Sequence, residues 1–488
     1  MNYIVVLVIF VITLYFFNND RKSKINSKIP GPIGLPVLGH VLYMTGDIHL
    51  QFQKWFKQYG TIFRVRVGVH ETVVITGYPT LRKAFIENSE AFASRWQPNS
   101  RYFANQFGEM AFLNGEKHAL LKKVVLSEMT TVRIKKMEDH IKKECEKLIK
   151  LFDQHADSNE PFEINSYLHM FSLNIILRFL FGVDYPYDKV SQTEGIIKAI
   201  MDFFLVAGTP VVSDFIPWIK PNPKHPFFVT YNKLAEETDV LIKKYQKTKQ
   251  EEIENGTFLE ENETIVGGLV KEYEKGNISW GNVTHTAIDM VSAGSDTSAN
   301  TMIFCLIELI NHPDIQSKLN NCISTSIFPN ETVITHSKYR SSIQYLTMVM
   351  KETFRMYPIG LLGIPHVTSV DVEVEGVKIA AGTQVFQNIY ASHRCEEFFS
   401  SPNEFIPERF MESSNLNYGS QTNLVHFGIG VRDCIGKSLG ETEIFTLLST
   451  LINRYEFINP DPSKPLNDVG SFGLTYQPPR TKVLLKKR

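Results

Sequence analysis

The chain lacks a surplus of charge of either sign, since 51 lysines and arginines against 52 aspartates and glutamates leave a formal net charge of -1. A protein that binds nucleic acid usually carries a basic surplus, so this balance argues against a nucleic-acid partner. Cysteine is also scarce, and its five residues are odd in number and widely spaced: Cys145, Cys305, Cys322, Cys395 and Cys434. Such spacing argues against a disulfide framework.

Repeats, low-complexity tracts and Gly/Ser-rich linkers are absent after the first forty residues. By length alone, a chain of 488 residues would form about two or three domains. Because no linker divides it, we predict a single large domain over residues 41–488, long enough to enclose a cofactor. The sequence also lacks a Gly-x-Gly-x-x-Gly unit for a flavin or a nicotinamide, so a redox reaction would need electrons from another protein.

The N-terminus carries a long apolar run over residues 3–17, and four lysines and arginines follow it within residues 21–28. The run is short for a membrane span, which needs about twenty residues and at least about seventeen. A cleaved signal peptide would carry its positive charge before the apolar stretch. We therefore predict an uncleaved, single-pass membrane anchor over residues 1–20, with the rest of the chain in the cytosol.

Residues 21–40 combine this basic stretch with the sequence PGPIGLPVLG at positions 30–39. Proline fixes the backbone angle and glycine bends the chain, so the segment is predicted to be a stiff hinge between anchor and domain. A generic linker would have the same composition.

Hydrophobic periodicity predicts a mainly α protein with a small β portion. The main predicted helices cover residues 132–152, 167–181, 282–311 and 439–451. β-Branched residues predict a hairpin and three further short strands, at 61–67, 72–76, 372–374, 385–388 and 482–485. Residues 250–264 are predicted to form a charged surface connection.

One of the five cysteines lies in a loop punctuated by glycine, FGIGVRDCIG at residues 427–436. Glycine lets this backbone turn sharply and brings amide N–H groups close to Cys434. The helix predicted to follow places the sulfur near a helix N-terminus, where an anionic thiolate is favoured. A lone thiolate is wrong for structural zinc or an iron–sulfur cluster, and it suits an axial ligand on haem iron.

This loop resembles the haem-binding loop of the cytochrome P450 family, since Phe427, Gly430, Arg432, Cys434 and Gly436 match the spacing Phe-x-x-Gly-x-Arg-x-Cys-x-Gly. The resemblance covers nearly the whole chain, with four motifs in family order. It implies the mainly helical, triangular fold of that family and haem b with Cys434 as its iron ligand. It also implies that Phe427, Arg432 and Gly436 contact the cofactor.

A second motif, Ala293-Gly-Ser-Asp-Thr297, lies inside the long predicted helix. Glycine inside a helix costs about 1 kcal/mol against alanine, so something is expected to approach the backbone at Gly294. The Thr297 hydroxyl can donate to the Ala293 carbonyl and bend the helix. The motif resembles the family's oxygen-activation motif, which implies that Asp296 and Thr297 deliver protons. Standing alone, it would be explained better by close packing of small residues in a helix.

A third motif places Glu352 and Arg355 on one helix face at i,i+3 spacing. By itself this would be a surface ion pair of little energetic value. It resembles the family's Glu-x-x-Arg motif, and the matching Pro-Glu-Arg-Phe motif contains Arg409. The resemblance therefore implies a structural network of Glu352, Arg355 and Arg409.

Haem propionates need cationic donors, and arginine suits them best. Five residues match propionate-contacting positions of the family by resemblance: Arg95, His118, Lys122, His366 and Arg432. His118 stands where the family usually has tryptophan, and Lys122 stands where it usually has arginine. An exposed charge at Arg95 or a satisfied core histidine at His366 would explain those two residues as well.

The family resemblance implies a monooxygenase that inserts one oxygen atom from dioxygen into a small hydrophobic substrate. Electrons would come from an NADPH-dependent flavoprotein reductase, with cytochrome b5 as a second donor to consider. The anchor and hinge resemble those of microsomal members, which implies membrane lipid as a partner and the endoplasmic reticulum as the location. Two alternatives remain: a haem-thiolate isomerase or dehydratase acting on peroxides, and a non-catalytic haem sensor or carrier.

Overall fold

The computed structural model describes Val6 and residues 21–35, 38–43, 46–188, 195–258, 263–411 and 423–488. Across these residues it contains seventeen α-helices and ten short β-strands. The prediction of a mainly α fold with a small β portion is confirmed. The predicted anchor, residues 1–20, lies outside the described residues apart from Val6.

The helices are numbered α1 to α17 along the chain. They span Arg21–Asn26, Ile48–Tyr59, Tyr78–Arg82, Ser89–Phe92, Asn99–Asn105, Gly115–Glu128, Thr131–Ser158, Asn165–Phe181, Gly195–Val206, Pro226–Glu254, Ile265–Glu274, Trp280–Asn311, Pro313–Ser326, His336–Tyr339, Gln344–Met356, Ile389–Ser392 and Lys437–Arg454. Strands β1 to β10 span Ile62–Val67, His70–Ile75, Ser94–Arg95, Phe162–Glu163, His366–Val367, Val372–Val374, Val377–Ile379, Gln384–Gln387, Tyr455–Ile458 and Lys482–Lys487.

The strands form three small sheets, of which the largest has the order β1-β2-β8-β5-β3. The predicted hairpin is confirmed as β1 paired antiparallel with β2, with Val67 opposite His70. β8 then adds parallel to β2, and β5 and β3 follow antiparallel. β4-β10-β9 and β6-β7 make the other two sheets. The large sheet therefore places Arg95 of β3 opposite His366 of β5.

Helix α12 is the long helix predicted from residue 282, and it begins two residues earlier at Trp280. Ser279 and Asn282 form a reciprocal capping box that satisfies backbone N–H groups at its start. It ends at Asn311, before Pro313. α12 packs against α8 and against α17, the helix that follows the cysteine loop. This packing brings the second motif and the cysteine loop into one region of the core.

Residues 26–30 of the predicted hinge dock on the domain. Asn26 is buried and donates from Nδ2 to Thr383 Oγ1 at 2.8 Å. Ile29 is buried in the apolar cluster under the large sheet, and the Arg64 N–H donates to the Pro30 carbonyl at 2.8 Å. The domain boundary at residue 40 stays a prediction. No helix among the described residues is both long and apolar enough to cross a bilayer.

The prediction of a charged surface connection over residues 250–264 is wrong at both ends. α10 continues through Glu254, and Glu263 is buried. The Glu263 carboxylate lies 2.6 Å from Lys249 Nζ and 2.9 Å from Lys271 Nζ. Because two lysines compensate its charge, this carboxylate can leave the solvent.

Candidate functional site

The cysteine loop folds on its own backbone. The Cys434 N–H donates to the Phe427 carbonyl at 2.8 Å, which closes the loop, and α17 begins directly after Gly436. Gly428 and Gly430 have φ of 73° and 90°, in the left-handed region that favours glycine. A Cβ at Gly430 would lie 2.3 Å from the Phe85 carbonyl oxygen, so a larger residue does not fit there.

Cys434 keeps accessible surface, yet protein atoms surround its side chain. A side chain that faces a space inside the molecule has both properties. Burial raises the pKa of the Cys434 thiol, and a hydrogen bond from the Gly436 backbone lowers it. Phe427, the first residue of the loop, packs against Phe354 and His426, whose ring centroids lie 5.5 Å and 4.1 Å from its own.

Two arginines approach the same region from β3 and from the cysteine loop. Arg95 donates from Nη1 to the Ile364 carbonyl at 2.6 Å and from Nη2 to the Arg432 carbonyl at 3.3 Å. Arg432 donates from Nε to the Ala93 carbonyl at 2.9 Å. Asn114 accepts from Arg432 Nη2 at 3.1 Å and from the Arg95 N–H at 2.7 Å. Sequence analysis missed Asn114, whose only local signal is its position just before a helix.

The two guanidinium groups have no carboxylate within ion-pair distance among the described residues. Burial, and secondly the charge of Arg432, lowers the pKa of Arg95 to about 9. Burial lowers the pKa of Arg432 to about 10. Arg95 Nε is buried without a hydrogen-bond partner in the described part of the chain. One buried and one partly buried cation, with a free donor on Arg95, therefore fit a bound dianion such as the two haem propionates.

His118 and Lys122 lie one turn apart on α6 and line a cavity of about 800 Å³ together with Arg432. Lys122 Nζ donates to the Val431 carbonyl at 2.7 Å, so it ties α6 to the cysteine loop. Burial, followed by the charge of Arg432, lowers the pKa of His118 to about 4. The imidazole is therefore neutral at pH 7, and it can donate only one N–H.

His366 lies on the other side of Arg95. Its Nδ1 is 2.7 Å from the Phe92 carbonyl, which only accepts, so Nδ1 carries the proton. Nε2 then accepts from Arg95 Nη1. In this arrangement His366 orients the Arg95 side chain and presents no donor of its own to a propionate.

On α12, Thr297 Oγ1 donates to the Ala293 carbonyl at 2.7 Å, as the motif predicts. Ala293 is exposed and Thr297 partly accessible, while most of α12 is buried. This face of the helix therefore borders an internal space. The predicted close approach at Gly294 is made by α8, since a Cβ there would lie 2.8 Å from Ile176 Cγ1.

Asp296 is turned away from Thr297 into a buried polar network. Its Oδ2 accepts from Asn300 Nδ2 at 3.0 Å, from Gln477 Nε2 at 2.8 Å and from Thr475 Oγ1. Its Oδ1 lies 3.5 Å from His169 Nε2 on α8. The carboxylate thus joins two helices to the C-terminal loop. His169, Thr475 and Gln477 lie far from Asp296 in the chain, and no local pattern indicated them.

The structure brings Glu352, Arg355 and Arg409 together, and all three side chains are fully buried. Arg355 donates from Nε and Nη2 to the two Glu352 oxygens at 2.7 Å and 2.9 Å. Arg409 Nε donates to Glu352 Oε1 at 3.0 Å. The remaining guanidinium hydrogens reach backbone carbonyls, among them that of Pro402. A single carboxylate therefore compensates two buried cations.

A cysteine in a closed loop before a helix, near two arginines that have no carboxylate partner among the described residues, is the arrangement expected of a haem-thiolate protein. The family model for cytochrome P450 matches residues 29–485. The Dictyostelium discoideum protein "Probable cytochrome P450 513A3" is 56% identical, over 99% of this chain and 98% of the relative. "Probable cytochrome P450 513E1" of the same organism is 49% identical, over 100% and 99% of the two chains.

A third Dictyostelium discoideum relative, "Probable cytochrome P450 513A1", is 47% identical over 100% of both chains. The chain belongs to the cytochrome P450 family. Its general activity is therefore that of a haem-thiolate monooxygenase, which takes electrons from a redox partner and binds an organic substrate.

Proposed function

We propose that the protein inserts one atom of dioxygen into a hydrophobic organic substrate, with Cys434 as the axial ligand of haem b. The observation that carries this proposal is the closed loop from Phe427 to Gly436, which holds Cys434 directly before the start of α17. When bound, the haem supplies the redox chemistry that activates dioxygen.

The proposed proton delivery uses the accessible face of α12. The Thr297 hydroxyl hydrogen is engaged with the Ala293 carbonyl, so the oxygen keeps its lone pairs to accept a hydrogen bond from a water. Thr297 would thus hold a proton donor in position. Asp296 would join this relay only after releasing Thr475 and Gln477, which now donate to it.

The proposed propionate donors are Arg95, Arg432 and Lys122, with His118 supplying one further N–H. Arg95 and Arg432 are favoured by their lack of a carboxylate partner in the described residues. Lys122 would have to share its ammonium with the Val431 carbonyl, which it contacts at 2.7 Å. His366 would act through Arg95, to which it is hydrogen-bonded.

The proposed electron donor is an NADPH-dependent flavoprotein reductase, with cytochrome b5 as a second donor to test. We further propose that residues 1–20 anchor the chain in the endoplasmic reticulum membrane, with the domain facing the cytosol. Exposed apolar side chains support contact with lipid, since Ile33 is 100% exposed, Leu205 81% and Trp218 68%.

The experiment uses full-length protein reduced in the presence of carbon monoxide. Wild type and Cys322→Ser, which alters another partly accessible cysteine, should both show the red-shifted Soret band of thiolate-ligated haem. Cys434→Ser should lose that band, and an unchanged band would contradict the assignment. Product formation that depends on NADPH would separate the monooxygenase from a peroxide isomerase and from a sensor.

A further inference from the structure

His169 on α8 lies opposite Asp296, the buried carboxylate next to Thr297. Its Nε2 is 3.5 Å from Asp296 Oδ1 and 3.0 Å from Asn300 Oδ1. Its Nδ1 is 2.9 Å from the Asn165 carbonyl oxygen, one turn earlier in the same helix. Both ring nitrogens therefore face oxygen atoms, and the chemistry of these oxygens decides how many protons the ring carries.

The orientation of the Asn300 side chain is fixed by two other acceptors. Its Nδ2 donates to Asp296 Oδ2 at 3.0 Å and to the Tyr476 carbonyl at 3.4 Å. The reversed amide would place its oxygen against these two acceptors, so Oδ1 is the atom that faces His169 Nε2. An amide oxygen and a backbone carbonyl only accept hydrogen bonds. The His169 ring therefore donates from both nitrogens, which makes it an imidazolium.

Asp296 carries the negative charge that compensates this imidazolium. Its Oδ2 already accepts from Asn300, Thr475 and Gln477, so that oxygen bears no proton. Burial lowers the pKa of His169, but the hydrogen bond to Asp296 and the charge of that carboxylate, together with two further hydrogen bonds, raise the pKa above its ordinary value. The two residues therefore form a buried ion pair beside Thr297.

The helices packed against α8 present their titratable groups at other positions. α7 faces α8 with Glu144, which accepts from Asn174 Nδ2 at 3.0 Å, and with His155, which lies 2.8 Å from the Tyr167 hydroxyl. The residues that α10 and α11 bury are uncharged. Among the described residues, the charged group that acts on the His169 ring is therefore Asp296 of α12.

His169 also borders a space from which it can take up a proton. Of its side chain, 35% is accessible, against 3% of that of Asp296. Protein atoms surround the ring all the same, so the accessible surface faces a space inside the molecule, as that of Cys434 does. The imidazole can therefore exchange protons with water, whereas the carboxylate is almost closed to it.

We propose that His169 supplies the protons that Asp296 passes on toward Thr297. This inference rests on the proposed function, because it takes Asp296 and Thr297 as the route of proton delivery. The Nε2 proton moves to Asp296 Oδ1 once the 3.5 Å separation shortens to hydrogen-bond length, which leaves a neutral imidazole and a neutral carboxyl group. The carboxyl group then releases its proton on the Thr297 side, and water returns one to the imidazole.

The same transfer accounts for how Asp296 leaves its present partners. Thr475 and Gln477 donate to an ionised carboxylate, and such hydrogen bonds are roughly twice as strong as those between neutral groups. Once Asp296 is neutral, these bonds weaken and the side chain can turn toward Thr297. A residue at position 169 that cannot lose a proton would keep the carboxylate ionised where it is.

The first measurement is the pKa of His169 in the full-length, haem-loaded protein, as its reduced carbon monoxide complex. NMR of histidine labelled with ¹³C at Cε1 follows each imidazole through a pH titration, and His169→Gln identifies the resonance by its loss. The pKa of His169 should lie above about 6.5 in wild type and below it in Asp296→Asn, because burial then acts without the carboxylate. If His169→Gln does not fold, the resonance that moves in Asp296→Asn identifies His169.

The second measurement is the product formed per NADPH as a function of pH. In wild type this ratio should fall as the pH rises through the pKa that NMR gives for His169. His169→Gln should lower the ratio at least about tenfold at pH 6.5 and make it independent of pH, since a general acid–base group typically contributes about 10²–10⁴-fold. His312→Gln is the matched control, because His312 is also partly accessible and pairs at 3.2 Å with a buried carboxylate, Glu308, at the far end of α12.

His312→Gln should keep the wild-type ratio and its pH dependence. A wild-type profile in His169→Gln would overturn the proposal, as would a pKa of His169 that Asp296→Asn leaves unchanged. A wild-type profile whose midpoint differs from the NMR value would overturn it too. If the thiolate band is absent, the proposed function fails, and the NMR titration still decides whether the ion pair exists.

Discussion

Arg95 and Arg432 are joined by a hydrogen bond: the Arg95 guanidinium donates from Nη2 to the Arg432 backbone carbonyl at 3.3 Å. Elsewhere in the same molecule, Arg355 and Arg409 form a second arginine pair, which is fully buried, but there both pair with Glu352. One arginine pair thus carries its counter-ion within the protein, and the other has none among the described residues. The difference separates a structural pair from a pair suited to bind an anion.

Haem retention should depend on Arg95 and Lys122, two of the proposed propionate donors. Arg95→Gln and Lys122→Leu should each speed haem transfer to apomyoglobin by about tenfold or more, since a buried charge-assisted hydrogen bond contributes about 1.5–3 kcal/mol. Lys122→Arg should retain haem at least as well as wild type. Lys117→Leu, on the exposed face of the same helix, is the control. Equal transfer rates in wild type, Arg95→Gln and Lys122→Leu would leave these residues without a role in binding.

The arginine pair that surrounds Glu352 should instead govern folding. Glu352→Gln removes the carboxylate that pairs with both buried guanidinium groups, and removal of one partner from a buried ion pair typically costs about 3–5 kcal/mol. Urea unfolding should register this loss, and the yield of haem-loaded protein should fall. Glu251→Gln, whose carboxylate lies 3.8 Å from Lys247 on the surface, should change stability by less than about 1 kcal/mol. Similar midpoints for the two variants would be incompatible with this role.

The sequence predicts those structural features that depend on residues close to one another in the chain. The C-terminal end of α12 follows from Pro313, and the closed cysteine loop follows from glycines within ten residues of one another. The start of α12 lies two residues before the predicted residue 282, because Ser279 and Asn282 cap it. Glu263 shows where such reasoning fails. Its burial depends on Lys249 and Lys271, which only the tertiary fold brings together.

Asp296 shows the same limit within the candidate site. The motif identifies the residue, but the direction of its carboxylate is set by Thr475 and Gln477, about 180 residues further along the chain. The missing counter-ion of Arg95 is likewise a property of the folded interior. Sequence patterns locate chemical groups, whereas their partners depend on contacts between distant segments.

Thr297 should control the coupling of electron use to product. Thr297→Ala removes the hydroxyl that faces the internal space and should divert reducing equivalents to peroxide or water, with haem content unchanged. A general acid–base group typically contributes about 10²–10⁴-fold, so product per NADPH should fall clearly. Ser295→Ala is a matched control, because Ser295 Oγ also donates to the carbonyl four residues earlier but is buried on another face. The same loss in both variants would point to helix geometry alone.

Glu443 should make stability depend on pH. Burial raises the pKa of this carboxyl from 4.5 to about 8, and Ser298 offsets the shift in part. Between these values the folded protein holds a proton that the unfolded chain releases, so stability falls as pH rises from about 5 to 8.

Glu443→Gln does not titrate at that position. Its free energy of unfolding, relative to wild type, should therefore rise by up to about 1.4 kcal/mol per pH unit across this window. Urea unfolding at pH 5.5, 6.5 and 7.5 measures the trend. A difference between wild type and Glu443→Gln that is independent of pH would mean that Glu443 stays ionised in the fold.

Membrane binding should depend on two separate parts of the chain. Deletion of residues 1–20 should move most of the protein from the membrane pellet to the soluble fraction while haem is retained.

Some binding to phospholipid vesicles should persist, because Leu205 and Trp218 are largely exposed, and burial of a leucine side chain is worth about 1.5–3 kcal/mol. Adding Leu205→Ser and Trp218→Ser to the deletion should remove this residual binding. Adding Phe328→Ser, which alters an equally exposed ring elsewhere, should not. Full membrane binding after the deletion would show that residues 1–20 are not the principal anchor.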